Sequence, residues 1–175
     1  MIGVLALQGG FREHLEILKM LGIPAKEVRM REDLAEVDGL IIPGGESTVM
    51  AKFIDEYDLR SVICARAQDA NFIIYGTCAG LILLANDVPN LQAQPLGLLD
   101  ISVERNAYGR QLDSFITPLG AFIRAPKITR VGEGVEILQT HEGSPVLARS
   151  GNVWASTFHP ELIGNMEIHR KIFSG

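Results

Sequence analysis

FIIYGTCAGLILLA, residues 72–85, runs a short apolar segment into Gly-Thr-Cys-Ala-Gly and leaves it as a second apolar run. The pattern predicts a buried strand over residues 72–75, a tight turn carrying Cys78, and a helix over residues 79–85. A sharp strand-to-helix turn presses backbone against backbone, and Gly76, Gly80 and the small Ala79 meet that demand. Such a turn lifts the sulfur to the carboxyl edge of a sheet, where open α/β sheets bind their ligands. The helix start beneath it offers unpaired N–H groups and partial positive charge, which favour a thiolate. The N–H of Ala79 is placed to help hold an oxyanion. The other cysteine, Cys64, lies among Val62, Ile63 and Ala67 and reads as core packing.

Working outward, the first half alternates apolar runs with helical patterns. Strands are expected over residues 2–7, 26–30 and 38–42. Helices are expected over residues 11–21, 47–57 and 59–68, the first with Phe11, Leu15, Leu18 and Leu21 on one face and Gly22 and Pro24 at its end. Near-continuous apolar strands separated by helices indicate a parallel sheet covered on both faces. The second half differs. Short β-like runs at residues 98–103, 115–116, 121–124, 135–139, 146–149 and 153–158 follow without long helices between them, with a hairpin turn at residues 149–152 and a closing helix over residues 165–173. The expectation is one α/β domain over residues 1–175, with an antiparallel or mixed extension after the Cys78 helix.

The composition agrees. A chain of 175 residues suits a single domain, and a chain of about 150 hides roughly 70% of its unfolded surface. The net charge of −5, without a basic run or aromatic-basic stripe, makes nucleic acid a poor partner. No apolar stretch has the length of a bilayer span, so no membrane is expected. MIGVLALQGG lacks a basic start and a cleavage site, and reads as a strand rather than a signal peptide. Two cysteines in such a chain suggest the reducing cytoplasm.

A cysteine nucleophile needs a base. His159 follows the apolar run VWASTF and precedes Pro160-Glu161. In an extended segment residues two apart point the same way, so Glu161 can stay beside the His159 ring and fix its tautomer. Pro160 disfavours helix at His159. The chain order is Cys, His, Glu. His14 between Glu13 and Glu16 reads as solvated, His141 beside Glu142-Gly143 as a turn residue, and His169 beside Arg170 and Lys171 as part of the last helix. Neither H-E-x-x-H nor paired C-x-x-C occurs, so no metal is expected. PGGEST, residues 43–48, follows the third strand. Gly44 and Gly45 permit close approach of a ligand and can supply a second oxyanion donor opposite Ala79. Ser47 and Thr48 can cap the next helix, with Glu46 at its positive end.

With these residues in hand, the chain resembles class I glutamine amidotransferases, the triad glutaminases, and among them the branch that serves pyridoxal 5′-phosphate synthesis. The stretches that carry the resemblance are LALQGGFREH (5–14), EVDGLIIPGGEST (36–48), YGTCAGLILLA (75–85), LGLLDISVERNAYGRQLDSF (96–115), FIRAP (122–126) and TFHPEL (157–162). The resemblance implies a flavodoxin-like three-layer α/β/α sandwich with a mixed, largely parallel sheet. It implies hydrolysis of L-glutamine to glutamate and ammonia through a thioester on Cys78, with His159 as base and Glu161 as its partner. Gly45 and Ala79 would form the oxyanion hole, and Gly45, Glu46, Ser47, Arg105, Ile123 and Arg124 match glutamine-binding positions. A guanidinium at 105 suits the α-carboxylate of glutamine. No cofactor is implied. The implied partner is a TIM-barrel pyridoxal 5′-phosphate synthase subunit in a hetero-oligomer, which receives the ammonia and switches the glutaminase on, so the isolated chain should have little activity. The reaction classes implied are hydrolase and lyase.

Two other readings share parts of the pattern. A cysteine peptidase or chaperone-like hydrolase of the same architecture would carry the elbow cysteine but would not call for ERNAYGRQ or a carboxylate two residues past the histidine. A silent binding subunit would have no reason to keep all three triad groups. The segment between Phe115 and Phe122 and the last helix are both shorter than the family pattern.

Overall fold

The computed structural model describes residues 1–105 and 114–174. Residues 106–111 of ERNAYGRQ lie outside the described residues; Glu104 and Arg105 lie within them. The apolar runs of the first half form β1 (Ile2–Leu5), β2 (Ala25–Val28), β3 (Gly39–Ile42) and β4 (Ile73–Thr77), all paired in parallel in the order β2-β1-β3-β4. On the far side of β4 lies β12 (Val153–Ser156), also parallel, followed by the antiparallel β11 (Ser144–Ser150) and β10 (Glu136–His141). Among the described residues this makes a seven-stranded, mostly parallel sheet. The β11–β12 hairpin closes where the sequence places it, with Gly151 at φ 54° in the turn.

Five helices are described: α1 (Phe11–Met20), α2 (Ser47–Glu56), α3 (Leu59–Arg66), α4 (Ala79–Leu84) and α5 (Glu167–Phe173). Strand alternation sorts them into layers. Leu40 and Ile42 join one core cluster with Met50 and Ile54 of α2, Ile63 of α3 and the leucines of α4. Ile41 between them joins the opposite cluster with Leu18 of α1 and Ile168 and Ile172 of α5. The result is the expected three-layer α/β/α arrangement.

Two strands, over Ala85–Asp87 and Lys127–Val131, go beyond those expected from the sequence. After α4 the chain continues into β5 (Ala85–Asp87) and β6 (Leu99–Glu104), and β6 pairs antiparallel with β9 (Lys127–Val131) in a small second sheet. Leu99, Ile101, Val103 and Ile128 of that sheet join the α4 cluster. This explains AGLILL, a helix buried on every side and so without a polar face. A two-stranded ribbon, β7 (Phe115–Ile116) with β8 (Ala121–Phe122), lies between β6 and β9 in sequence. The face of α1 is also rotated from expectation. His14, Ile17 and Leu18 are buried, whereas Phe11 and Leu15 are only partly so. Among the described residues no helix is long and apolar enough to cross a membrane.

Candidate active site

Cys78 sits between β4 and α4 with φ 48° and ψ −97°, a backbone conformation that costs about 1–3 kcal/mol for a residue other than glycine. Its neighbours show what enforces it. A Cβ on Gly76 would stand 2.6 Å from the Gly80 carbonyl carbon, and a Cβ on Gly80 would overlap the Ile42 carbonyl oxygen. The Cys78 N–H donates to Ser156 O at 2.8 Å, tying the elbow to β12. Because β3 and β12 flank β4, with Ile42 opposite Gly76 and Ser156 opposite Thr77, the PGG loop, Cys78 and His159 all emerge at one carboxyl edge.

His159 is held from both sides. Its N–H donates to Ala121 O at 2.8 Å and its carbonyl accepts from the Ala121 N–H at 3.0 Å, so β8 grips the backbone at this point. Its ring lies over Gly44, where any Cβ would strike it. Nδ1 bonds Glu161 Oε1 at 2.7 Å. The local geometry differs from the extended segment expected. Pro160 is helical (φ −67°, ψ −30°) and Glu161 opens a 3-10 turn over Glu161–Ile163, and this turn swings the carboxylate back to the ring. Burial works against a charged ring at 159, but interaction with Cys78 and with the Glu161 carboxylate outweighs it and raises the pKa to about 10. Burial also works against charge on Glu161, and the surrounding imidazoles outweigh that, lowering its pKa.

Two histidines read as bland are part of this cluster. His14 and His169 are both fully buried. His14 Nδ1 lies 2.8 Å from His169 Nε2, and His14 Nε2 lies 3.2 Å from Thr77 Oγ1 and 3.5 Å from Glu161 Oε1. Burial lowers the pKa of both, that of His169 to about 3. A signal for them was present: 14, 17, 18 and 21 have the spacing of one helix stripe, as do Ile168, His169 and Ile172. His141 is likewise no plain turn residue, since it ends β10 and its ring stacks on Phe115 at 5.3 Å. Cys64 packs against the core as expected.

A cleft of about 360 Å³ opens above the thiol. It is lined by Cys78, His159, Glu161, Gly45, Glu46, Ser47, Arg105, Ile123 and Arg124, which is every expected site residue except Ala79. Ala79 is buried as the first residue of α4. Glu46, rather than Ser47 or Thr48, caps α2, its carboxylate accepting the Thr48 N–H at 3.2 Å. Its N–H donates to Gln8 Oε1 at 2.9 Å, and Gly10 N–H donates to Gly44 O at 3.0 Å, so the turn after β1 holds the PGG loop. Arg105 Nη2 reaches Glu46 Oε1 at 3.3 Å across the rim. Ile123 and Arg124 follow β8, and Arg124 has φ 45°. The cleft thus sets the Cys78 sulfur and the His159 imidazole at its floor and opposite charges at its mouth.

The model of the SNO glutamine amidotransferase family matches residues 4–173. The chain is 50% identical to pyridoxal 5′-phosphate synthase subunit PdxT of Thermus thermophilus, covering 97% of this chain and 94% of that protein. It is 48% identical to the protein of the same name from Thermotoga petrophila, covering 97% and 95%. A crystal structure of a glutamine amidotransferase superposes with a TM-score of 0.90 at 48% identity, covering 99% of this chain and 97% of that one. The expected lyase class is overturned by this match, because a glutamine amidotransferase takes ammonia from an amide by hydrolysis, not by elimination.

Proposed function

Since the chain belongs to the SNO glutamine amidotransferase family, we propose that Cys78, His159 and Glu161 are its catalytic triad and that it releases ammonia from L-glutamine as one glutaminase domain spanning residues 1–175. The observation that carries the reading is the His159 Nδ1–Glu161 Oε1 bond of 2.7 Å in a ring whose affinity for a proton is raised by Cys78. Sγ of Cys78 attacks the side-chain amide carbon. The proton given up by the thiol rests on His159 Nε2, since Nδ1 is engaged by Glu161. The tetrahedral oxyanion is met by the Ala79 and Gly45 N–H groups. Collapse breaks the C–N bond, His159 passes its proton to the departing nitrogen, and a thioester remains. Water then gives a proton to His159 and its oxygen to the acyl carbon. The imidazolium returns that proton to sulfur as glutamate leaves, so that glutamine and water become glutamate and ammonia.

At the mouth, Arg105 holds the α-carboxylate and Glu46 the α-ammonium, so the ion pair between them opens to admit a zwitterion of matching polarity. Ser47, Ile123 and Arg124 complete the wall. The names of the relatives, subunits of pyridoxal 5′-phosphate synthase, support delivery of the ammonia to a synthase subunit. We propose that this subunit is a TIM barrel and that the complex works in the cytoplasm. Ammonia freed into water would be diluted and protonated, so the synthase docks over the cleft.

The test is ammonia release from glutamine by the chain with and without its synthase subunit. Release is expected in the complex, with Cys78→Ala reducing it at least ~10³-fold. Undiminished release by Cys78→Ala would remove the reading.

A further inference from the structure

The buried side of Glu161 is where the structure goes beyond a triad. Glu161 Oε1 takes the His159 contact at 2.7 Å and lies 3.5 Å from His14 Nε2, while Oε2 has no hydrogen-bond partner among the described residues. A carboxylate only 5% exposed therefore has one oxygen turned to the His159 and His14 imidazoles and the other without a partner among the described residues.

The proton positions in the His14–His169 pair follow from which atoms are left unpaired. The 2.8 Å Nδ1···Nε2 contact needs one proton, donated by one ring and accepted by the other. If His14 donated, its Nε2 lone pair would face the Glu161 carboxylate, and a neutral His169 would bury an unpartnered Nδ1–H. If His169 donates from Nε2, its Nδ1 is a bare acceptor, matching an atom with no partner among the described residues. His14 then carries its proton on Nε2, directed at Thr77 Oγ1 and Glu161 Oε1. Only the second arrangement leaves every N–H with an acceptor. Burial holds both rings uncharged, in keeping with their lowered pKa values.

We propose that His14, its tautomer set by His169, is a positioning residue whose Nε2–H, hydrogen-bonded to Thr77 Oγ1 and 3.5 Å from Glu161 Oε1, turns the positive end of its dipole to the carboxylate that orients His159 and so holds it in place. The proton line runs from α5 through α1 to the His159–Glu161 turn and ends at the thiol. His14 touches neither the thiol nor the cleft, so it acts through Glu161. This inference rests on the triad reading above. The titratable groups around Glu161 are His159 and Cys78 on the cleft side, His14 and beyond it Glu13 on α1, His169 on α5, and Tyr75 on β4, whose hydroxyl burial keeps protonated.

Two substitutions separate the roles of the ring nitrogens. The terminal amide of Gln reaches the place of Nε2 and can still present an N–H to Thr77 and Glu161, whereas that of Asn reaches only the place of Nδ1. In the complex with the synthase subunit, His14→Asn is expected to lower kcat ~10–100-fold with KM little changed. It should also move the acid limb of the kcat/KM profile about one unit to higher pH, because Glu161 loses a nearby N–H dipole that favours its charged form. His14→Gln should recover most of both. If the two variants match each other, or both match the unaltered protein, the proposal is overturned. A measurement on the unaltered chain decides the case even if His14→Asn fails to fold. Nitrogen-15 resonances of His14 should report a neutral Nε2–H tautomer from pH 5 to 8, and an Nδ1–H or doubly protonated ring there would overturn the proposal. Failure of the triad reading looks different: the unaltered complex would release no ammonia, or Cys78→Ala would release it, whatever the tautomer of His14.

Discussion

The two ends of the proposed proton path are built by opposite means. The nucleophile end is a contiguous stretch, Gly76 to Gly80, whose geometry is dictated by backbone sterics. The base end gathers α1, the end of β4, the His159–Glu161 turn and α5, and its members meet only through the fold. At the elbow each residue type has a local reason: glycine where a Cβ would enter the next strand, and a small residue at the helix start. At the base the reasons are electrostatic and distant. A histidine there is required by a carboxylate far away in the sequence, and nothing beside it in the chain says so. Local steric rules therefore make a site legible in sequence, while buried polar networks hide among ordinary-looking residues.

The sharpest way to break that contrast is at Gly80. Its Cβ direction points at the Ile42 carbonyl, a backbone atom that cannot rotate aside. Gly80→Ala is therefore expected to cost about 3 kcal/mol, as overpacking against backbone does, and to shift β3 away from the elbow. Denaturant unfolding measures this. A loss below about 0.5 kcal/mol would mean that the elbow is not sterically determined and that its glycines carry no structural message.

The same contrast explains how much could be read beforehand. The parallel strands, the elbow and the cleft residues were legible because apolar runs, glycine spacing and the motif stretches are local. The strands β5 and β9 were not, since AND is too short to show alternation, and KITRV exposes Lys127, Thr129, Arg130 and Val131. Glu161 was placed beside His159 for an incomplete reason: two residues apart in an extended chain would serve, but a 3-10 turn does the work. Glu13 and Glu16 beside His14 suggest a solvated face, whereas the stripe through Ile17 and Leu18 decides its orientation. Charge next to a residue in sequence says little about the face of a helix it occupies.

A second prediction sharpens the base end. His169 has a folded-state pKa of about 3, well below its ordinary value near 6.5. The unfolded chain thus takes up its proton first as pH falls, and stability drops through the window from about 6.5 to about 3. A single such group contributes roughly 1.4 kcal/mol per pH unit within that window. His169→Gln keeps an amide donor for His14 Nδ1 and removes the titration, so the slope of unfolding free energy between about pH 6 and 4 should fall by about that amount. His159 acts in the opposite sense. Its raised pKa of about 10 gives stability that is whole below about 6.5 and lost as pH climbs toward 10, so it leaves the acid slope untouched. An unchanged acid slope in His169→Gln would mean that the pair is hydrated or already charged.

The smallest effect is expected at Arg105, which belongs to neither end. It stands on the rim with its side chain 22% exposed, paired at 3.3 Å with a Glu46 carboxylate that is itself 46% exposed. Solvent screens such a pair, so Arg105→Ala should leave the fold within about 0.5 kcal/mol. On the proposed binding mode, its loss removes the cation that faces the α-carboxylate of glutamine and leaves Glu46 alone to repel it. KM should rise ~10-fold, as expected for one charge-assisted hydrogen bond, while the rate of thiol alkylation at Cys78 stays the same. Steady-state kinetics beside alkylation rates separate the two. A fall in kcat with KM constant would instead tie Arg105 to the reacting centre, and the division between a rim that binds and a floor that reacts would have to be redrawn.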